Sequence, residues 1–330
     1  MMFGELPLAE AEGAVLAHAV LLAGRRVPKG SLVDAGLIEA ARAEGLDRLW
    51  VARAEPEDVH EADAAARVGS ALAGPGVEAR PPVHGRVNLH AARAGLFRCD
   101  PAAIRAANLA GDAVAISTLP PFTPVVEGQM LATIKLIPFS VSSDVLAAAT
   151  PPAPIEVHPW RTGLRVTLIA TTWPGTTAKA LARSRDVSAG RLAALGLGMA
   201  NAAPVPHAIA PLGEALRAAS VESDLVLVSG ATATSDPRDV IPAAIEAAGG
   251  TVDRVGMPVD PGNLLVLGRI GAAAVLGLPG CARSPKRNGL DLVLERLAAG
   301  LPVSSEDIAA MGVGGLLEDA GQPVPWAWTG

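Results

Sequence analysis

The chain has 330 residues, of which 50% are apolar and 18% charged. That is enough apolar surface for one or two ordinary cores and too much for a disordered segment. The net charge of -6, with 27 Lys and Arg spread without a long run, argues against the basic face that a nucleic-acid partner requires. Cys99 and Cys281 are the only cysteines, too few for a disulfide framework or a Cys-rich metal site, which suits a reducing compartment. The first residues are acidic and lack the basic segment of a signal peptide, and no apolar stretch reaches the ~20 residues that cross a bilayer. A cytoplasmic protein with no membrane partner is expected.

Residues 1–80 read as a small α+β unit, with helical periodicity over Leu37–Glu44 and Asp58–Leu72 and a short strand at Arg48–Ala52. Residues 81–150 form a β-rich α+β lobe: two strand-like runs, Asp112–Pro121 and Gln129–Phe139, surround turn residues at Val126–Gln129. Lys135 in the second run suits an edge strand, where lysine blunts aggregation. Thr150–Pro154 opens a proline-rich linker spanning 151–162, because proline lacks a donor and restrains the residue before it. From 163 to 303 strands alternate with helices, which implies βαβ crossovers and a mainly parallel sheet between two helical layers. Its helices are expected over Ala178–Gly196, with Leu181, Leu192 and Leu195 inward, and over Leu212–Ser220, Pro237–Ala248 and Leu290–Ala299. Residues 304–330 form a partly Gly- and Pro-rich tail.

Twice in this last region an apolar strand runs into a small-residue loop and then a polar helix start. The first loop is Ser229, Gly230, Ala231, Thr232, Ala233, Thr234, Ser235, and the second is Pro279-Gly280. Loops of this kind, leaving neighbouring parallel strands at their carboxyl ends, bring backbone amides, hydroxyls and helix N-termini to one crevice, which suits a phosphate. Asp236 before Pro237 fits an N-cap, and Ser284-Pro285 fits the start of the next helix. Arg283, Lys286 and Arg287 add positive charge there without an acidic neighbour in sequence. Cys281 reads as a small buried filler beside a tight turn. His84, His90, His158 and His207 lack metal-ligand spacing, so a satisfied or exposed histidine is expected at each.

The stretch Asp224–Ala244 is similar to a D-L-V-[LI]-T-T-G-G-T-G loop followed by R-D-V-T-P-E-A. Met257–Ile270 and Val275–Gly280 resemble M-K-P-G-K-P-L-x-F-G-R and V-x-G-L-P-G. On these three ordered motifs, residues 163–303 resemble the molybdopterin-binding domain shared by molybdopterin adenylyltransferase, molybdopterin molybdotransferase and the competence/damage-inducible proteins. The whole chain looks like a bacterial group of stand-alone molybdopterin-binding proteins. The resemblance implies a three-layer α/β/α domain preceded by smaller α+β lobes. It also implies molybdopterin or molybdenum cofactor as ligand, held by Ser229, Gly230, Ala231, Thr232, Thr234, Ser235, Pro279, Gly280, Ser284, Lys286 and Arg287. Asp236 and Asp239 stand as the catalytic candidates. Asp239 matches the aspartate associated with magnesium and nucleotide handling, since a carboxylate near phosphates usually needs Mg²⁺ between them.

Departures from the pattern bear on function. Ala231 and Ala233 replace glycines, and Asp260 and Asn263 replace two lysines. Binding and delivery in molybdenum cofactor biosynthesis is therefore favoured, with a cofactor nucleotidyltransferase or a molybdoenzyme as receiving partner. If the chain is an enzyme, the resemblance implies a molybdotransferase- or adenylyltransferase-like transferase. The alternative is a nucleotide pyrophosphatase of the competence/damage-inducible type on the same domain. Relatives with this domain form dimers or trimers, so a homo-oligomer is expected.

Overall fold

The computed structural model describes residues 1–260 and 262–317; the end of the expected tail, 318–330, lies outside them. The chain divides into two compact units, Met1–Pro159 and Trp160 onward. The first unit holds two apolar cores. One forms around Leu16, Leu49 and Val51, beneath an antiparallel sheet of Met2–Pro7, Arg48–Arg53 and Val15–Leu16. The other forms around Leu72, Leu89, Phe97 and Ile134. There a four-stranded antiparallel sheet orders Val114–Thr118, Met130–Leu136, Arg86–Ala91 and Val77–Ala79, and helix Glu61–Leu72 contributes its buried Ala64, Ala65, Val68 and Leu72.

Two local expectations change here. Met130–Leu136 is an interior strand, bonded on both sides, so Lys135 is not an edge lysine. Its Nζ donates to the His84 carbonyl at 2.8 Å and lies 3.6 Å from Glu61. The chain through Pro151–Pro154 packs within this unit, because the Ile155 amide donates to the Leu72 carbonyl at 2.9 Å and Gly74 donates to the Ile155 carbonyl at 3.0 Å.

The second unit is built on one sheet. Its elements in order are β1 (Val166–Thr172), α1 (Ala178–Ala194), β2 (Ala200–Asn201), β3 (Val205–Pro206), α2 (Ile209–Glu222), β4 (Leu225–Ser229) and α3 (Val240–Ala247). They continue with β5 (Thr251–Val255), β6 (Val266–Ile270), β7 (Ala273–Gly277), α4 (Gly289–Ala298) and α5 (Ser305–Ala310). The sheet order is β2-β1-β4-β7-β6-β5, with β3 also on β1. The strands from β2 to β7 pair in parallel, and β6 and β5 close one side antiparallel.

Strand β4 shows why an unbroken apolar run suits this place. Every residue in it is buried, and alternate side chains enter opposite cores. Leu225 and Leu227 meet Leu192 of α1 and Leu290, Val293 and Leu294 of α4. Val226 and Val228 meet Leu212 and Leu216 of α2 and Ile241 and Ile245 of α3. The result is the expected α/β/α sandwich. Gly277, at the end of β7, is packed to the limit of a hydrogen atom: an added Cβ would stand 2.9 Å from Val266 Cβ and 3.1 Å from Ile241 Cγ2. Gly277→Ala should therefore destabilise the second unit by about 1–3 kcal/mol through overpacking, read as a lower urea midpoint with an unchanged slope.

Candidate functional site

Parallel pairing of β4 with β7 runs through Val228 and Gly277 and is extended by the Leu278 amide, which donates to the Val228 carbonyl at 2.8 Å. Both small-residue loops therefore leave the sheet at the same edge. Arg283 crosses between them, its Nη2 donating to the Gly230 carbonyl at 2.9 Å. The space between the loops is a cleft with a narrow inner part of about 60 Å³, lined by Ser229, Gly230, Thr232, Pro279, Gly280 and Arg283 among others. It widens to a part of about 330 Å³ bordered by Thr171, Trp173, Thr176 and Leu181, the two parts sharing Ser184, Ser229, Gly230, Thr232 and Arg283. Leu181, expected in the core, thus lies on the cleft, and α1 buries Ser184 and Ser188 instead.

The first loop is held from below by buried polar groups. Ser184 Oγ and Ser229 Oγ lie 2.6 Å apart. The Ala231 amide donates to Thr171 Oγ1 at 2.8 Å, Thr171 Oγ1 lies 2.9 Å from His207 Nδ1, and His207 Nε2 lies 2.9 Å from Thr232 Oγ1. Thr171 is buried, so its proton needs an acceptor, and His207 Nδ1 supplies one. The proton of neutral His207 then sits on Nε2 and is donated to Thr232 Oγ1, which leaves the Thr232 hydroxyl hydrogen available to a ligand. His207 is only 8% exposed, and burial lowers its pKa against an opposing effect of Asp239. A buried histidine fully engaged by its neighbours matches the expectation for this residue. What the sequence did not reveal is that it couples both ends of the loop.

No residue from Ser229 to Asp239 has a positive φ, so the alanines at 231 and 233 fit the loop's path without strain. Asp236 does not cap the following helix. Its carboxylate accepts from the Arg238 amide and guanidinium at 2.8 Å, and that pairing lowers its pKa to about 2. The helix begins at Val240, capped by Asp239, whose Oδ1 accepts from Val240 at 2.7 Å and whose Oδ2 accepts from the Ser235 amide at 3.0 Å. The Asp-Pro-Arg turn captures Asp236 first, which moves the cap three residues on. Asp239 thereby fills the helix N-terminus with its own carboxylate. Among the described residues no group of three or more His, Cys, Asp or Glu could hold a metal ion.

The second loop also departs from its expected form. Helix α4 starts at Gly289 under a capping box of Asn288 and Asp291, not at Ser284-Pro285, since Arg191 engages the carbonyls of the intervening bends. The Arg191 guanidinium donates to the carbonyls of Ala282, Ser284 and Lys286 at 2.6–2.9 Å and to Asp291 at 2.8 Å. Arg287 pairs with Glu295 at 2.7 Å in a separate groove, where burial pushes the Glu295 carboxyl up to about 7. Arg283 is therefore the cation lining the cleft, while Lys286 and Arg287 do not line it. Cys281 is exposed rather than buried, and partial desolvation of its sulfur raises its pKa. Thr234, within the first loop, is buried.

This combination defines a class: a three-layer α/β/α domain with a polar cleft at the carboxyl edge of a mainly parallel sheet. Residues 175–299, all within the second unit, match the family described as "Probable molybdopterin binding domain". A search of curated proteins finds no match. Among solved structures, the chain is similar to the molybdopterin biosynthesis enzyme MoaB from Thermus thermophilus at 24% identity, covering 42% of this chain and 98% of that one, with a TM-score of 0.31. It is also similar to the molybdopterin biosynthesis MoeA protein from Pyrococcus horikoshii at 15% identity, covering 91% and 76%, with a TM-score of 0.32.

The depressed His207 pKa has a stability consequence. The unfolded chain takes up this proton at higher pH than the folded one, so the contribution of His207 to stability falls as pH drops below about 6.5 and levels off below the folded pKa. Because Glu295, raised to about 7, gains stability over the same range, the effect of His207 is read as a difference: in urea titrations at pH 7.5 and 5.0 the wild type should lose more stability, or gain less, than His207→Gln, and an equal change in the variant would remove His207 as the cause.

Proposed function

We propose that the chain binds molybdopterin through its terminal phosphate in the cleft between the Ser229–Ser235 loop and the Pro279–Arg283 corner, as a binding or delivery protein in molybdenum cofactor biosynthesis. The observation that carries this reading is the Arg283–Gly230 bridge across two loops from neighbouring parallel strands. It supplies one fixed guanidinium beside the hydroxyls of Ser184, Ser229 and Thr232. The amides of Thr232, Ala233 and Gly280 have no acceptor among the described residues, and phosphate oxygens could satisfy them. In this reading Asp239 acts on the ligand indirectly, by fixing Ser235 and the helix start. The two lysines of the resembled pattern are replaced by residues turned to structural use. Asp260 Oδ1 accepts from Leu317 at 2.7 Å, and Asn263 Oδ1 accepts from Leu265 at 3.3 Å.

The reading extends to a receiving partner, a cofactor nucleotidyltransferase or a molybdoenzyme, to which the cofactor would pass. A nucleotide pyrophosphatase activity would instead show itself as Mg²⁺-dependent turnover of ADP-ribose.

Fluorescence titration of the purified chain with molybdopterin should show saturable quenching. Arg283→Ala should weaken binding by roughly 10- to 100-fold, the range for one charge-assisted hydrogen bond, and Thr232→Val should weaken it less. Absence of binding by the wild type would defeat the proposal.

A further inference from the structure

The wide part of the cleft carries a feature that a phosphate alone does not use. Trp173 stands on its rim and is 55% exposed. An exposed tryptophan on a loop is normally mobile, yet this one is fixed on three sides. Its backbone closes a turn with Thr176: the Trp173 amide donates to Thr176 Oγ1 at 2.8 Å, and the Thr176 amide donates to the Trp173 carbonyl at 2.9 Å. Pro174 and Gly175 occupy the central positions, with Gly175 at φ +96°, the arrangement of a type II turn. Thr177 then caps α1, which ties the turn to the helix. The indole ring packs against buried His207, centroids 5.9 Å apart and planes at 64°. An edge contact of this kind covers at most one indole face.

We infer that the free face of Trp173 is a stacking platform for the planar heteroaromatic ring of a ligand whose phosphate lies at the Arg283 end of the same cleft. The inference rests on the proposed phosphate site for the position of the second group and adds the residue that selects a ring. Two observations carry it independently of the loops. The ring is pre-positioned, so little side-chain entropy is lost on binding, and it is supported by a histidine that also orients Thr232.

The test uses the full chain and three probes: a pterin carrying a phosphomonoester, methyl phosphate, and the same pterin without phosphate. Stacking of one base-sized ring on an aromatic side chain corresponds to roughly 5- to 150-fold in affinity. Trp173→Ala should weaken the pterin phosphomonoester by about that factor and leave methyl phosphate unchanged. Trp173→Phe should recover most of the loss, and Trp50→Ala, a change in the other unit, should match the wild type for every probe. Equal affinity of Trp173→Ala and wild type for the pterin phosphomonoester would overturn the inference. So would an equal loss for methyl phosphate, because Trp173 would then act only through loop structure. If the unphosphorylated pterin binds as well as its phosphomonoester and depends on Trp173, the platform stands and the phosphate reading falls. If no pterin probe binds the wild type, the platform falls, and methyl phosphate alone then decides the phosphate site.

Discussion

The cleft depends on a chain of hydrogen bonds buried beneath it, from the Ala231 amide through Thr171 to His207 and on to Thr232. A loop of small residues has little apolar surface with which to fix itself, and in a low-dielectric setting unmade polar bonds are costly. Satisfying Thr171 fixes the tautomer of His207, and that tautomer fixes which way Thr232 presents its hydroxyl. The orientation of a cleft-lining hydroxyl is thus decided one layer below the surface, at the end of β1. The same histidine supports the indole of Trp173, so the narrow and wide parts of the cleft share one support.

The opposite wall is organised by charge. Arg191 lies in α1, yet it gathers three carbonyls of the 282–286 segment and the Asp291 carboxylate. A guanidinium suits this task because its donors form a rigid planar fork. With that segment drawn to α1, the short 3-10 turn Gly280–Arg283 stands at the cleft and α4 begins farther on. The helix dipoles that would serve an anion are accordingly spent elsewhere, on Asp239 at α3 and on the Asn288–Asp291 box at α4. Loop amides, hydroxyls and Arg283 remain for a ligand.

The strand and loop order of the second unit was legible because its signals are local. A run such as Leu225–Ser229, apolar at nearly every position, has few uses other than a strand covered on both faces, and a loop of Ser, Gly, Ala and Thr at its end marks the crevice. Helix starts were less legible: Asp236-Pro237 and Ser284-Pro285 have the residue types of caps, but a guanidinium captured each segment, Arg238 locally and Arg191 from far along the chain. His207 was hidden for a related reason. Its place depends on β3, a two-residue strand paired to Thr171 and Thr172 of β1, which is too short to leave a periodic pattern. The signal available was a proline-flanked histidine just before a helix, and that alone does not name its partners. In the first unit, Lys135 looked like an edge residue because strand order within a sheet is not written in any one strand.

The electrostatic balance of the cleft bears on what kind of function the proposed ligand would meet. Where the resembled pattern carries lysines, Asp260 and Asn263 accept backbone amides of their own unit, and Arg283 is the cation that faces the loops. Neutral amides and hydroxyls bind anions more weakly than charged donors do. Catalysis of phosphoryl or nucleotidyl transfer draws on several preorganised charges aimed at oxygens whose charge grows in the transition state. A cleft with one fixed guanidinium, neutral donors and a rigid aromatic rim is better matched to recognising a whole ligand by shape and hydrogen bonding. Under the proposed function, such a site would hold a phosphorylated ring firmly enough to be selective and loosely enough to surrender it, which is the physical requirement of delivery.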